Sequence, residues 1–297
     1  MTSREVVASD GVRLAAQERG DPANPTVLAV HGYPDDHSVW DGVAAQLADR
    51  FHVVTYDVRG AGRSQAPPQR SGYLLDQLER DLAAVADAVS PQRPVHLLAH
   101  DWGSIQSWHA VTGQRMRGRI ASFTSISGPC LDHAGFWFRS RLRRPGARRL
   151  RELVVQLVCS GYIGFFRAPL LPELAWRSRV LPALLAKLAR ADDQRDLRSR
   201  IADGVRGLEL YRANVLARLL RPTERRAEVP VQVLAPTGDL FVSPALQLSD
   251  LHEWAGDLRT ERVPGGHWLP RNRPDEVARR AAAYVEHVES AQRTAGG

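Results

Sequence analysis

Short apolar runs alternate with helical patterns along the first part of the chain, and this alternation limits the possible folds more than any other feature. The runs are TVLAVHG (26–32), HVVTYD (52–57), VHLLAHD (95–101) and IASFTSISG (120–128). Runs that are apolar at nearly every position are typical of strands buried on both faces of a parallel sheet. The alternation therefore predicts an α/β fold, with a mostly parallel central sheet covered by helices on both faces.

The alternation stops after residue 129 and resumes near residue 229. In between, the pattern is helical only and is interrupted by five prolines: Pro145, Pro169, Pro172, Pro182 and Pro222. Two more strand patterns follow, VQVLAPTGD (231–239) and LRTERVPGG (258–266), and a long helical pattern comes after the second. We therefore expect an α/β core formed by residues 1–129 and 229–297, with residues 130–228 inserted as a helical lid.

Positive charge is concentrated in the predicted lid. The chain of 297 residues has a formal net charge of +7, whereas residues 131–228 contain 21 Arg and Lys residues against 10 Asp and Glu residues. A solvated, arginine-rich helical face is the favoured interpretation, and contact of the basic lid with an anionic membrane or an acidic carrier is the alternative. No nucleic-acid-binding motif accompanies the charge, so no nucleic-acid partner is expected.

The N-terminal residues and the cysteines predict a cytoplasmic protein. The stretch MTSREVVASDG lacks the apolar segment of a signal peptide, and the longest nearly apolar run, residues 153–166, is too short to span a bilayer. Cys130 and Cys159 show neither metal spacing nor a disulfide framework, which suits a reducing compartment. No metal or other cofactor is expected, and the chain is expected to be a monomer or a homodimer.

Reactive side chains follow three of the predicted strands, where open α/β sheets place their chemistry. Asp101 follows VHLLAH, Asp239 follows VQVLAPTG, and His267 follows TERVPGG. Ala99 and Gly103 flank Asp101 at two residues on either side, and a tight strand-to-helix turn needs small residues there. Asp101 alone could instead cap the next helix. The order acid, acid, histidine favours a catalytic set.

Four motifs, HGYP, YDVRGAGRS, AHDWGS and GGHW, stand in an order that resembles α/β-hydrolases with an aspartate nucleophile, the group of epoxide hydrolases and haloalkane dehalogenases. The resemblance covers essentially the whole chain, lid included. The stretches AHDWGS, ASFTSISGP and LRRP look particularly like the hydrolase half of actinobacterial proteins that fuse an epoxide hydrolase to a short-chain dehydrogenase. The sequence shows no glycine-rich dinucleotide motif, so a free-standing hydrolase and a fragment of a fusion both stay open.

An aspartate at this turn suits attack on a saturated carbon. A serine would form an ether there, which water does not cleave at useful rates, whereas Asp101 would form an ester whose carbonyl belongs to the protein. His267 would then activate water against that carbonyl, and Asp239 would orient the imidazole. The backbone N–H groups of Tyr33 and Trp102 would hold the resulting oxyanion. The predicted substrate is therefore an epoxide or an alkyl halide.

Two lid tyrosines favour the epoxide. Tyr162 and Tyr211 are the tyrosines between residues 130 and 228, and their surroundings resemble those of the two lid tyrosines that donate hydrogen bonds to the epoxide oxygen in the family. The alternative for either one is a core aromatic. The sequence thus predicts a hydrolase that converts a lipophilic epoxide to a vicinal diol. A haloalkane or haloacid dehalogenase, and a catalytically silent protein that binds a small ligand, remain the alternatives.

Further residues are assigned by the same resemblance. Those expected to bind substrate or line its channel are Trp102, Trp137, Phe165, Phe166, Trp268 and Leu269. Asp132 is the reserve candidate for the acid partner, although the stretch GDLFVSP around Asp239 looks like the acid loop of the family.

Five polar residues near the predicted site are expected to be structural or uninvolved. His31 should bond the backbone and shape the Tyr33 loop. Asp57 and Arg59 should form a turn and an ion pair, while His37 and His100 receive no catalytic role.

Overall fold

A computed structural model of the chain describes residues 2–189 and 195–296. Its strands are β1 (Thr2–Val7), β2 (Arg13–Arg19), β3 (Thr26–Val30), β4 (His52–Tyr56), β5 (Val95–His100), β6 (Ile120–Ile126), β7 (Val231–Pro236) and β8 (Leu258–Val263). They form one sheet in the order β1-β2-β4-β3-β5-β6-β7-β8. β2 pairs antiparallel with β1 and with β4, and every other pair is parallel. The predicted fold class is confirmed.

All six strands predicted from the apolar runs are present. Strands β3 to β7 are buried at every position, which explains why their sequences are nearly continuous apolar runs. The antiparallel hairpin of β1 and β2 was not predicted. β1 is exposed at five of its six positions, β2 is buried at three of its seven, and both carry charged residues, so their apolar signal is weak.

Helices of the core cover both faces of the sheet. They are α1 (Asp41–Leu47), α2 (Leu75–Val89), α3 (Trp102–Val111), α10 (Pro244–Leu248), α11 (Leu269–Asn272) and α12 (Pro274–Gly296). The connection from β3 to β4 runs toward the β1 edge of the sheet. The connections from β4 to β5 and from β5 to β6 run in the opposite direction, toward the β8 edge. Right-handed crossovers therefore place α1 on one face and α2 and α3 on the other. Helix α12 packs on α1, and α2 packs on α3.

Six helices separate β6 from β7 in the part of the chain that the structure describes. They are α4 (Leu131–Arg143), α5 (Ala147–Cys159), α6 (Gly161–Arg167), α7 (Leu171–Arg177), α8 (Val180–Ala189) and α9 (Leu197–Leu220). The long helix α9 is anchored to the core by Asn214, whose side chain accepts from the N–H of Leu75 at 2.9 Å and donates to the carbonyl of Tyr73 at 2.9 Å. These helices form the inserted lid, while its limits at residues 130 and 228 stay a prediction.

No single helix in residues 2–189 and 195–296 has both the length and the apolar character to cross a membrane. The stretches Ala147–Arg167 and Leu171–Arg177 reach that length and apolar character only when they are taken together, and they are bent at 90° to each other.

Candidate active site

Asp101 occupies a strained turn between β5 and α3. Its backbone has φ 52° and ψ −123°, a left-handed region that residues with a side chain rarely adopt. The turn lies so close to β3 that a Cβ on Gly103 would come within 2.2 Å of the carbonyl oxygen of Val30. The Asp101 side chain makes no capping bond to α3. The turn thus presents the carboxylate away from the helix, and capping does not explain this aspartate.

The structure brings Asp101, Asp239 and His267 together, as the sequence predicted. His267 Nδ1 lies 3.1 Å from both carboxylate oxygens of Asp239, and His267 Nε2 lies 3.5 Å from Asp101 Oδ2. Asp239 is further held by the backbone N–H groups of Phe241 and Val242, which donate to its Oδ1 at 2.9 and 3.1 Å. All three side chains are buried. The imidazole therefore bridges one carboxylate that orients it and another that faces the cavity.

The charges of this buried set shift its proton equilibria. Burial alone would lower the pKa of His267, but the negative charges of Asp239 and Asp101 outweigh burial and raise this pKa to about 10. Burial pushes the pKa of Asp239 upward, yet the charge and hydrogen bond of His267 hold it below its ordinary value. At neutral pH the His267 imidazole of the resting site is therefore protonated beside the ionised Asp239.

A backbone donor binds the second oxygen of Asp101. The N–H of Tyr33 donates to Asp101 Oδ1 at 2.8 Å. Gly32 leaves open the space beside this oxygen and the nitrogen of Trp102, since a Cβ there would lie 2.4 Å from Asp101 Oδ1 and 2.7 Å from Trp102 N. The predicted oxyanion donors Tyr33 and Trp102 thus lie next to the carboxylate. An ester formed through Oδ2 would leave Oδ1 as its carbonyl oxygen, already facing the Tyr33 donor.

The two lid tyrosines reach the same place from different helices. Tyr162 lies on α6 and Tyr211 on α9, and their rings meet edge to face with centroids 5.9 Å apart. The Tyr211 ring also packs on Trp102, at 4.9 Å between centroids. Burial raises the pKa of both tyrosines, and the charge of Asp101 adds to the rise. Both phenols therefore stay protonated at neutral pH and can act as donors.

A cavity of about 20 Å³ lies between the lid and the carboxyl ends of the strands. Its lining combines the candidate catalytic residues with aromatic and aliphatic side chains: Tyr33, Pro34, Asp101, Tyr162, Phe166, Leu185, Tyr211, Phe241, His267 and Trp268. This volume holds about one water molecule. The lid is therefore closed on the site in this structure.

Four residues predicted to bind substrate or line its channel do not line this cavity: Trp102, Trp137, Phe165 and Leu269. Trp102 lies behind it and packs on the ring of Tyr211. Trp137 packs in a separate cluster with residues such as Leu153 and Val242, and it lines a surface groove of about 420 Å³ between α4 and the core. Phe165 is on the outer side of α6 and is 38% exposed. Leu269 is buried beneath the loop of Gly265. Helical spacing explains the Phe165 error, since Phe166 points inward and its neighbour cannot.

Asp132 does not meet His267. Its carboxylate accepts from the N–H and the hydroxyl of Thr223 at 2.9 and 3.1 Å and pairs with Arg225 at 3.4 Å. The reserve candidate thus connects two ends of the lid, and Asp239 alone of the two occupies the position beside the imidazole.

The remaining polar residues serve loop structure. His31 contacts the carbonyl of Gly32 and accepts from the N–H of Val58, both at 2.8 Å, as expected. The expected ion pair of Asp57 with Arg59 is wrong. Asp57 accepts from His37 at 2.7 Å, whereas Arg59 pairs with Asp81 at 2.6 Å and with Asp10 at 2.8 Å. The Arg59 guanidinium is buried, and two carboxylates balance its charge better than one turn neighbour could.

One group of the described residues has the spacing of a metal site, namely Asp36, His37 and Asp57. Its atoms are already committed to the loop. Asp36 Oδ1 accepts from the N–H and the hydroxyl of Ser38, and the two oxygens of Asp57 accept from His37 and from the N–H of Arg63. The group is better explained as loop structure than as a metal site.

Phe241 and Trp176, which shape the site, were not predicted from the sequence. Phe241 packs on His267 with ring centroids 4.8 Å apart, and its position two residues after Asp239 could have indicated this role. Trp176 donates to the Tyr33 hydroxyl at 2.8 Å, and that hydroxyl donates to the carbonyl of Gly204 at 2.8 Å. No local pattern marks such contacts between the lid and the Tyr33 loop.

The fold and this site define an α/β-hydrolase with an acid in the nucleophile position. A family model described as the alpha/beta hydrolase fold matches residues 25–270. The chain belongs to this family, as the resemblance of its motifs predicted.

The chain is also similar to curated relatives and to solved structures. It is 34% identical over 299 residues to "Probable oxidoreductase EphD" of Mycobacterium tuberculosis, covering 98% of this chain and 50% of that protein. The chain thus spans about half the length of that relative. It is 28% identical to "Epoxide hydrolase A" of the same organism, covering 97% of this chain and 98% of that protein. The structure of a Bacillus megaterium epoxide hydrolase with an inhibitor superposes with a TM-score of 0.77 at 21% identity, covering 96% and 100% of the two chains.

Proposed function

We propose that this chain is an epoxide hydrolase, which adds water to a lipophilic epoxide and releases a vicinal diol. The observation that carries the proposal is the Asp101 carboxylate at its strained turn, with Oδ1 bound by the N–H of Tyr33, Oδ2 facing His267, and two protonated tyrosines in the same cavity. The relative named "Epoxide hydrolase A", which matches over nearly its whole length, supports the same function.

The first step is alkylation of Asp101. Oδ2 attacks one carbon of the epoxide, the carbon–oxygen bond of the ring breaks, and an alkoxide develops on the other carbon. An alkoxide is a poor leaving group, so a proton donor beside it lowers the barrier. Tyr162 and Tyr211 both donate hydrogen bonds to this oxygen, and one of them then transfers its proton to it and becomes a phenolate. The product is a hydroxyalkyl ester of Asp101.

The second step is hydrolysis of that ester. His267 takes a proton from water, and the hydroxide attacks the carbonyl carbon of Asp101 while the N–H of Tyr33 holds the oxyanion on Oδ1. Asp239 stabilises the imidazolium that forms. The tetrahedral intermediate collapses with cleavage of the bond between the carbonyl carbon and the diol oxygen, and the imidazolium gives its proton to that oxygen. The carboxylic acid proton that remains from the water restores the phenol. The diol keeps the original Asp101 oxygen, and water refills the carboxylate.

The mechanism is tested by separating the two steps. One turnover in heavy-oxygen water, with enzyme in excess over styrene oxide, should give unlabelled diol and leave the label on Asp101. The variant His267→Gln should still form the ester, because a carboxylate is ionised near neutral pH without a base. It should then stall, and the intact protein should gain the mass of one substrate.

The control for this experiment is Asp101→Ala, which should gain no mass. Circular dichroism verifies that each variant is folded. Label in the diol after the first turnover would indicate direct attack by water and would contradict the covalent mechanism.

The tyrosine pair favours an epoxide over a halide, because a halide leaves as an anion and needs no proton. Tyr162→Phe and Tyr211→Phe should each slow ester formation by roughly 10²-fold, and the double variant should be nearly inactive. Rapid-quench measurement of ester formation on a panel of epoxides and haloalkanes provides the comparison. Unchanged epoxide turnover in the double variant would contradict the role of the phenols and favour a dehalogenase.

The cellular location and the oligomeric state of the protein remain predictions. The free thiols of Cys130 and Cys159 support a cytoplasmic location, because oxidising compartments favour disulfides. We propose a monomer or a homodimer that works without a metal or another cofactor, since both steps use only carboxylate, imidazole and phenol groups.

A further inference from the structure

Helix α5 directs an apolar face toward solvent, which is unusual for a helix on the surface of an isolated protein. Leu150, Val154, Leu157 and Val158 form one stripe on this helix, at the spacing of a single face, and they are 55, 51, 55 and 76% exposed. Surface helices normally direct such a stripe toward the core. The stripe of α5 instead faces outward.

The inner face of the same helix contains a polar residue. Gln156 is 1% exposed, its amide group donates to the hydroxyl of Ser160 and to the carbonyl of Phe241, and its oxygen accepts from the N–H of Ser243 at 2.8 Å. These bonds fix the rotation of α5 about its axis. The outward stripe is therefore held in place by the packing of the helix and is not a consequence of a loosely placed element.

Exposed apolar side chains continue onto the next two helices. Phe165 at the end of α6 is exposed, and Leu170, Leu171 and Leu174 on and before α7 are 71, 60 and 58% exposed. Together with the α5 stripe we call these eight residues the apolar lid surface. Helix α6 contacts both α5 and α7, and its inward residue Phe166 lines the catalytic cavity. The apolar lid surface thus lies on the outside of the helices that roof the site.

Arginines accompany this surface almost without opposing charge. Residues 139–179 contain ten arginines and two acids, Glu152 and Glu173. Both acids are in ion pairs, Glu152 with Arg148 and Arg141 and Glu173 with Arg212. Further exposed arginines flank α5 and α7 at residues 143, 144, 149, 151, 177 and 179. An apolar surface with a cationic border complements a lipid bilayer that has anionic headgroups.

We propose that the apolar lid surface docks on the surface of an anionic bilayer. Helices α5 to α7 lie in the headgroup region, with the leucine and valine side chains among the acyl chains and the arginines among the phosphates. The helices do not cross the bilayer, because Arg148, Arg149 and Arg151 occupy the first turns of α5 and the break before α7 bends the pair by 90°. Docking is independent of the proposed reaction, because it needs no substrate.

Sedimentation of the whole chain with lipid vesicles tests the proposal. The vesicles contain phosphatidylcholine alone or phosphatidylcholine mixed with phosphatidylglycerol. We expect binding to the anionic vesicles at about 0.01 M salt, and at least about tenfold weaker binding at about 0.5 M salt because the charges are then screened. Binding to neutral vesicles should be at least about tenfold weaker as well. Equal binding to both vesicle types, or no binding at low salt, would overturn the proposal.

Variants distinguish docking through the apolar lid surface from nonspecific binding of the protein to vesicles. Leu157→Glu with Val158→Glu should reduce binding at least about tenfold, because it places charge in the part that enters the acyl region. Val7→Glu is the matched control, since Val7 is 62% exposed on β1 of the core, and it should bind like the unchanged chain. Equal loss in both variants would overturn the proposal.

A second copy of the chain is the competing occupant of this surface. Sedimentation equilibrium without lipid should give the same mass for the unchanged chain and for the Leu157→Glu, Val158→Glu variant. A dimer that dissociates in this variant would overturn the proposal in favour of self-association. Turnover of an epoxide in the absence of vesicles plays no part in these measurements, so their failure would leave the proposed function untouched.

Discussion

His267 lies between two carboxylates, and only one of them keeps its charge through the proposed reaction. The resting pKa of about 10 holds the imidazole protonated and unable to act as a base at neutral pH. Alkylation of Asp101 converts that carboxylate to a neutral ester and removes one cause of the raised pKa. The imidazolium can then release its proton to solvent, so the first step prepares the base for the second. Ester hydrolysis should accelerate as pH rises through the lowered pKa of His267.

The variant Asp101→Asn keeps the shape of the carboxylate without its charge. The pKa of His267 should fall from about 10 by at least about one pKa unit, because one of its two anionic partners is gone. Imidazole nitrogen chemical shifts followed over pH measure the change. His100, whose pKa burial lowers to about 4, is the internal comparison and should stay neutral at neutral pH. An unchanged pKa of His267 would mean that Asp239 alone sets it.

At the scale of elements, the sequence predicted those parts of the fold whose signal is local. Each central strand is buried on both faces, so strands such as β3 and β5 were visible as apolar runs. Asp101 and Asp239 were predictable because each follows such a strand, and His267 follows the next strand, β8, at the edge of the sheet. The carboxyl ends of parallel strands meet at one edge of a sheet. The β1–β2 hairpin has one weakly buried face and gave no comparable run.

Contacts between elements were beyond this kind of prediction. Gly207 on α9 illustrates the difficulty, since a Cβ there would lie 2.3 Å from Cδ2 of Tyr33. The glycine is needed because the Tyr33 loop, some 170 positions earlier in the chain, packs directly on the lid helix. Trp137 shows the reverse error, because an aromatic residue in the lid was assigned to the channel although α4 directs it into another cluster. Aromatic character indicates burial but does not indicate which cavity a side chain borders.

At the scale of the whole molecule, the closed lid must open for the proposed chemistry. The cavity of about 20 Å³ holds about one water, whereas ligand pockets for small organic molecules are typically about 300–1,000 Å³. The lid meets the Tyr33 loop through packed rings, with Phe166 and Trp176 at 5.6 and 6.1 Å from the Tyr33 ring centroid. A substrate joined to Asp101 cannot share this space, so it must separate α6 and α7 from the loop.

The stalled ester offers a direct measurement of that opening. In His267→Gln after reaction with styrene oxide, backbone amides of α6 and α7 should exchange hydrogen for deuterium about tenfold faster or more, because these helices lose their packing on Tyr33. Amides of β3, β5 and β6 should be unaffected, since those strands lie in the buried centre of the sheet. The control is the same substrate with Asp101→Ala, His267→Gln, which cannot form the ester and should exchange like the unreacted protein. Exchange that changes in the central strands and not in α6 and α7 would place the adjustment in the core, and the lid would then not be the element that admits the substrate.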